Sequence, residues 1–337
     1  MTACAYRLTV FRVITPRTFS RTVPVGAVAL LAASVTLSAC TATPGGSGKA
    51  ASGEEPAPSA AGTTAASGPP ALTPEAYRGA LAAAGRPART ALAAIAKART
   101  FRSLHQRIDR AQSALESALA RLGGLRPPAD VAPEHADYVA ALRGLNGRLG
   151  ALDEDVSSHV LCNGTAVLAG LGRSGEFKDF RASAGDLVKA GDYPVVQIRP
   201  PAQASRRLGN GATVLSAIRG GRGSLSVKNG GTQDGVVTLV RAGRKAVSFY
   251  VRKRSTAKIS DIKDGTYRVY FTTGVDYDRG TRAFTRNCGF SKFDDALKFQ
   301  TVYSGYSVRW SDWTLTLDAV FGGNATTSEV DPDAFPG

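Results

Sequence analysis

Between residues 101 and 122, apolar side chains recur at every third or fourth position: Phe101, Leu104, Ile108, Ala111, Leu115, Leu119 and Leu122. At 3.6 residues per turn these positions line one face of a helix. The run stops at Gly123-Gly124, ahead of Pro127-Pro128, where a helix cannot continue. A second stripe starts near Pro133-Glu134 and carries Tyr138, Leu142, Leu145, Leu149, Leu152 and Val156, so the two stripes are expected to face each other. Upstream, Thr73-Pro74-Glu75 combines a capping hydroxyl, a first-turn proline and an acid near the positive end of the helix dipole, and Pro87 predicts a break or kink. Shorter segments around Val160 to Leu171 and Phe177 to Val188 complete an expected up-and-down bundle over residues 73 to 190.

From residue 211 the period falls to two. Leu225 and Val227 precede Asn229-Gly230-Gly231, a hairpin signal, and Val237 and Leu239 resume the alternation. Val247, Phe249 and Val251, then Tyr267, Val269 and Phe271, then Trp313, Leu315 and Leu317 alternate with polar or amphipathic residues. The fold class expected is α+β in two domains: an N-terminal antiparallel helical bundle, a linker over 191 to 206, and a C-terminal antiparallel β-sandwich over 207 to 322. Residues 323 to 337 are expected to be a disordered tail. The segment from Ile259 through Asp264-Gly265 to Tyr267 and Val269 resembles transthyretin-like and carboxypeptidase-regulatory-like sandwiches, in which a Gly turn precedes an aromatic strand. That resemblance implies an accessory module with varied partners rather than one activity.

Residues 1 to 39 have the layout of a signal peptide. Arg7, Arg12, Arg17 and Arg21 precede an apolar run from Val23 to Leu37, with no acid among them. The run falls short of the roughly 20 residues that span a bilayer. It ends in Leu37-Ser38-Ala39-Cys40, which resembles the lipobox of bacterial lipoproteins. The resemblance implies cleavage before Cys40, acyl chains of the palmitate class on that residue, and an extracytoplasmic protein anchored to the cell membrane. More than one chain gives stable anchoring where a single chain does not. Residues 40 to 72 follow as the lipidated cysteine and a disordered tether, too poor in large apolar residues to fold. As a flexible coil the tether reaches on the order of 30 Å.

The 337 residues carry a formal charge of +15, which in a cytosolic protein would suggest nucleic acid; export removes that partner. Without the four leader arginines the charge is +11. Residues 199 to 258 account for all of this excess, with thirteen Arg or Lys against Asp234 alone. Arg241, Arg244, Lys245, Arg252, Lys253, Arg254 and Lys258 are therefore the candidate polyanion-binding residues. The polyanions outside a bacterial membrane are lipid headgroups and anionic cell-wall polymers. The opposing interpretation is a solvated basic face that pairs with acids after residue 260.

Chemistry-bearing residues are sparse. His105, His135 and His159 lack a second ligand at metal spacing and are expected to be solvated or capping, as are the acids Asp153-Glu154-Asp155. Asp276 and Asp278, with Asp294 and Asp295, are either calcium-loop ligands or solvated loop acids. Tyr303, Tyr306, Trp310 and Trp313 suggest either a sugar-stacking platform or core aromatics; Trp310 and Trp313, three apart on a strand, point oppositely, which argues against a single platform and places Trp313 in the core with Leu315 and Leu317. Cys162 and Cys288 either bridge the two domains or stay as separately buried thiols, in a compartment that permits disulfides. No catalytic triad, zinc motif, phosphate loop or matched carboxylate pair stands out, so no cofactor, metal or catalytic residue is assigned. The expectation is a non-enzymatic binding or structural module. Its alternatives are a subunit docking another envelope protein, or a hydrolase whose site is assembled only in space.

Overall fold

The computed structural model describes residues 6–10, 13–14, 70–317 and 325–336. The lipobox, Cys40 and the tether as far as residue 69 lie outside them. Two short extended segments near the chain start, β1 (Tyr6–Val10) and β2 (Val13–Ile14), run parallel to later strands.

Five helices follow. In α1 (Pro74–Ile95) the Thr73 hydroxyl accepts from the Ala76 amide, and Pro74 occupies the first turn. Of the expected break or kink at Pro87 the break does not occur: the helix continues through it, with buried Ala84 before it and buried Ala88, Leu92 and Ile95 after it holding both halves in the core. α2 (Phe101–Gly123) opens with a reciprocal cap between Thr100 and Ser103. α2 packs on α3 (Ala132–Ser157), as their stripes require, and α3 packs on α5 (Gly175–Gly191). Between them α4 (Gly164–Gly172) is capped by the Asn163 side chain. A Cβ on Gly164 would sit 1.9 Å from the Ile95 carbonyl oxygen, so only glycine lets α4 begin against the end of α1.

Of the three histidines expected to be solvated or capping, His135 caps the last turn of α2 from a buried position, and His105 and His159 are part-buried. His135 is buried, its Nε2–H donating to the Leu122 carbonyl, so its Nδ1 accepts from the Tyr77 hydroxyl at 2.8 Å. Burial holds its pKa below the ordinary histidine value. His105 Nδ1–H donates to Asp153 at 2.7 Å, which also removes Asp153 from the group of solvated acids. His159 packs its ring against Phe101 and Phe290.

The β region comprises two sheets, antiparallel for the most part. One contains β4 (Gly223–Asn229), β7 (Ser255–Ile262), β11 (Thr301–Ser304) and β12 (Ser307–Thr316), with β1 at its margin. The other runs in the order β2, β13 (Ala325–Glu329), β9 (Ala283–Phe293), β8 (Gly265–Asp278), β5 (Asp234–Arg241), β6 (Arg244–Val251), β3 (Thr213–Ser216), with β10 (Leu297–Phe299) also on β8. One buried cluster draws on both sheets, including Leu225 and Val227 from the first and Leu239, Phe249 and Phe271 from the second.

The expected hairpin at Asn229-Gly230-Gly231 does not form. β4 pairs with β7 and β12, whereas β5 pairs with β6 and β8. The chain crosses between sheets here, and the buried Asn229 side chain bridges the crossing by donating to the Gln233 and Val251 carbonyls. The tight hairpin lies instead between β5 and β6, where Ala242 and Gly243 both adopt positive φ. Trp313 is half-buried at the edge of the cluster, its indole N–H donating to the Lys298 carbonyl, while Leu315 and Leu317 enter the core. The stretch expected to be a disordered tail contains β13 and the short 3-10 helix Pro332–Ala334.

Candidate functional site

The helical and β regions belong to one compact unit. A disulfide joins Cys162, just before α4, to Cys288 on β9, closing the question left open by the sequence. Backbone hydrogen bonds support it: the Cys162 amide donates to the Thr285 carbonyl, Asn287 to Val160, and Cys288 to His159. A second tie comes from the chain's C-terminal part. The Asp333 carboxylate accepts from the Phe101 and Arg102 amides at 2.7 and 3.0 Å, capping α2 from a residue far away in sequence.

Residues 206 to 208 are stapled to the same side of the larger sheet. Arg206 grips Asp276 through Nε and Nη2, both at 2.9 Å, and reaches Asp278 at 3.2 Å. Asp276 is buried and Asp278 part-buried, and both pair with Arg206. Arg207 binds Asp234 in the same forked manner at 2.6 Å, and the Tyr250 hydroxyl and Lys253 amide donate to that carboxylate as well. Burial alone would raise both carboxyls, but the hydrogen bonds outweigh it and hold Asp234 and Asp276 at about 2. Among the described residues no group of His, Cys, Asp and Glu converges as a metal site.

Between these ties lies a cleft of about 390 Å³. Its floor is the outer face of the larger sheet, where Thr238 on β5, Ser248 on β6 and Thr272 on β8 present hydroxyls. The Thr238 and Ser248 oxygens are 2.9 Å apart. The start of α2 forms the opposite wall, and Pro332 to Pro336 closes one side. Phe101, Phe290 and Phe335 line it with stacked edges, Phe290 lying 5.7 Å from Phe101 and 5.5 Å from Phe335 between ring centres. Lys245 and Arg282 supply positive charge. Burial first, then the neighbouring Arg282 charge, lowers the Lys245 pKa. Among the described residues neither cation has a carboxylate partner. Chemically the cleft offers three cations, Arg99, Lys245 and Arg282, one carboxylate, Asp333, which is engaged by the α2 amides, a row of hydroxyls and an aromatic wall.

The seven candidate basic residues are not brought together. Arg241 lies over the Tyr267 ring at 5.9 Å, Arg244 is exposed in the β5–β6 turn, and Lys245 enters the cleft. Arg252, Lys253 and Arg254 sit at the other end of β6, roughly 23 Å away at about 3.3 Å per residue. Arg252 Nε there donates to the Leu208 carbonyl, and Lys258 is exposed on β7. Three more members of the basic block, Arg206, Arg207 and Arg219, are spent on Asp276, Asp234 and Asp261.

Thr238, Ser248, Thr272, Arg282, Phe290 and Phe335 carried no motif. A weak signal was present: adjacent strands alternate their core residues with short hydroxyls such as Thr238 and Ser248, rather than with the Lys and Glu of an open face. Compared with known proteins, the chain matches no family model, no curated protein and no solved structure.

Proposed function

We propose that this is a non-enzymatic binding protein of the bacterial envelope, tethered to the membrane through acylated Cys40, whose cleft takes a small amphiphilic anion. In this account a helical-bundle domain and a β-sandwich domain hold the cleft between them. The observation that carries it is the pairing of Lys245 and Arg282 with a wall of Phe101, Phe290 and Phe335 in one 390 Å³ space, a size suited to a small ligand. The cations match a carboxylate or phosphate head, and the aromatic wall matches an acyl or other apolar body. Lys245 is also one of the candidate polyanion residues, so the anionic partner is retained while its place narrows to one end of β6. Ser248 is hydrogen-bonded to Thr238, which supports a binding role for that hydroxyl over a nucleophilic one.

Calorimetric titration of the full chain with decanoate tests this. Saturable binding is expected, weakened at least tenfold in Lys245→Gln and Arg282→Gln and reduced by salt. Unchanged affinity in both variants would exclude the cleft.

A further inference from the structure

We propose that the tip of the β11–β12 hairpin is a membrane-contact element that enters the headgroup region of an anionic bilayer. This surface is separate from the cleft and from Cys40, and depends on neither. Val302, Tyr303 and Tyr306 are 46, 69 and 94% exposed, a concentration of large apolar surface at one turn. The register sets Val302 opposite Arg309 and Tyr303 opposite Val308. Adjacent residues of a strand point to opposite faces, so Val302 leaves one face, Tyr303 the other, and Tyr306 lies in the turn beyond. A stacking platform for a sugar needs one apolar face. A tip surrounded by its medium is apolar on both, as here.

The polar features agree. Tyrosine places an apolar ring and a hydroxyl at the boundary where a headgroup region offers both environments. From Leu297 to Ser311 there is no acid, whereas Lys298 is exposed and the Arg222 guanidinium lies 6.0 Å from the Trp310 ring centre. That charge complements anionic lipid. The tip is also held in place: the Asp264 carboxylate accepts from the Thr301 amide at 2.8 Å and hydroxyl at 2.9 Å, fixing the base of the hairpin to the β7–β8 turn.

The test uses the full chain carrying Cys40→Ser, so that no acyl chain contributes, mixed with vesicles of phosphatidylglycerol and phosphatidylcholine. Both tryptophans of the chain, Trp310 and Trp313, lie on β12 and report directly. Binding should shift their emission to the blue and expose Trp310 to brominated lipid. Tyr303→Ser combined with Tyr306→Ser should lower partitioning at least tenfold with an unchanged melting temperature, and Tyr306→Trp should raise it in sedimentation assays. Equal quenching of Trp310 by brominated lipid in the wild type and the double variant would overturn the proposal, since the leader common to both can hold either chain on a vesicle without bringing the hairpin into it. An emission shift with solubilised wall glycan and none with vesicles would also overturn it.

Discussion

Replacing Asp234 by alanine should cost about 3 kcal/mol of stability, far more than an ordinary surface ion pair contributes. The Asp234 side chain is 7% exposed and accepts four hydrogen bonds, two from Arg207, one from Tyr250 and one from the Lys253 amide. Without it the Tyr250 hydroxyl, on a fully buried residue, loses its acceptor, and an unsatisfied buried donor costs about 1 to 3 kcal/mol. Arg207 is 41% exposed and regains water, so its share of the loss is small. Urea unfolding at neutral pH under oxidising conditions reads the difference. The acid limb supplies a second check. Asp234 is held at about 2 in the fold against 3.8 for the free group, so its stabilisation is complete above 3.8 and disappears as pH falls toward 2. The shift corresponds to about 2 kcal/mol. Asp276 behaves alike, and Asp294 and Glu176 are also held below their ordinary values, so Asp234→Ala should lose only part of the wild-type acid sensitivity in that window. A loss below about 1 kcal/mol at neutral pH, or a wild type insensitive to pH across that window, would refute the role given to this carboxylate.

Gly164→Ala should destabilise by about 3 kcal/mol or more, because the added carbon meets backbone at Ile95 and not a movable side chain; thermal unfolding measures it. Cys162→Ser with Cys288→Ser removes a link between residues 126 apart, and chain entropy puts the loss at about 5 kcal/mol, seen as a lower urea midpoint. Asp333→Ala should cost about 1 kcal/mol through the lost cap on α2 and make the C-terminal residues more susceptible to proteolysis, read by mass spectrometry of digests. His135 has a lowered pKa, so the unfolded chain binds its proton first and stability should fall as pH drops below 6.5; His135→Gln should flatten that part of the profile in calorimetry.

The helical half was legible because its signal is local and repeated: Leu104, Ile108, Leu115 and Leu122 define a face without reference to anything distant. Pro87 misled because a proline's local penalty was outweighed by burial on both sides of it. In the β half the strands were legible but not all of their partners. Asn229-Gly230-Gly231 has the composition of a hairpin turn, yet the chain crosses there to the other sheet, and partner choice is a property of the whole core. The cleft was illegible for a related reason. Its walls come from Phe101, Ser248, Phe290 and Phe335, which share no spacing, and Lys245 drew notice for the charge of its neighbours rather than for its pocket. Asp276 and Asp333 were unreadable as ligands of Arg206 and of the α2 amides because those contacts span many residues of chain.

The central claim, a cleft built for a small amphiphilic anion, is tested most directly by crystallising the protein with ω-bromodecanoate and locating bromine by anomalous scattering. The account predicts a bromine peak against Phe290 and Phe335, with the carboxylate at Lys245 and Arg282. Bromine only on the outer surface, with solvent alone over Thr238 and Ser248, would contradict it.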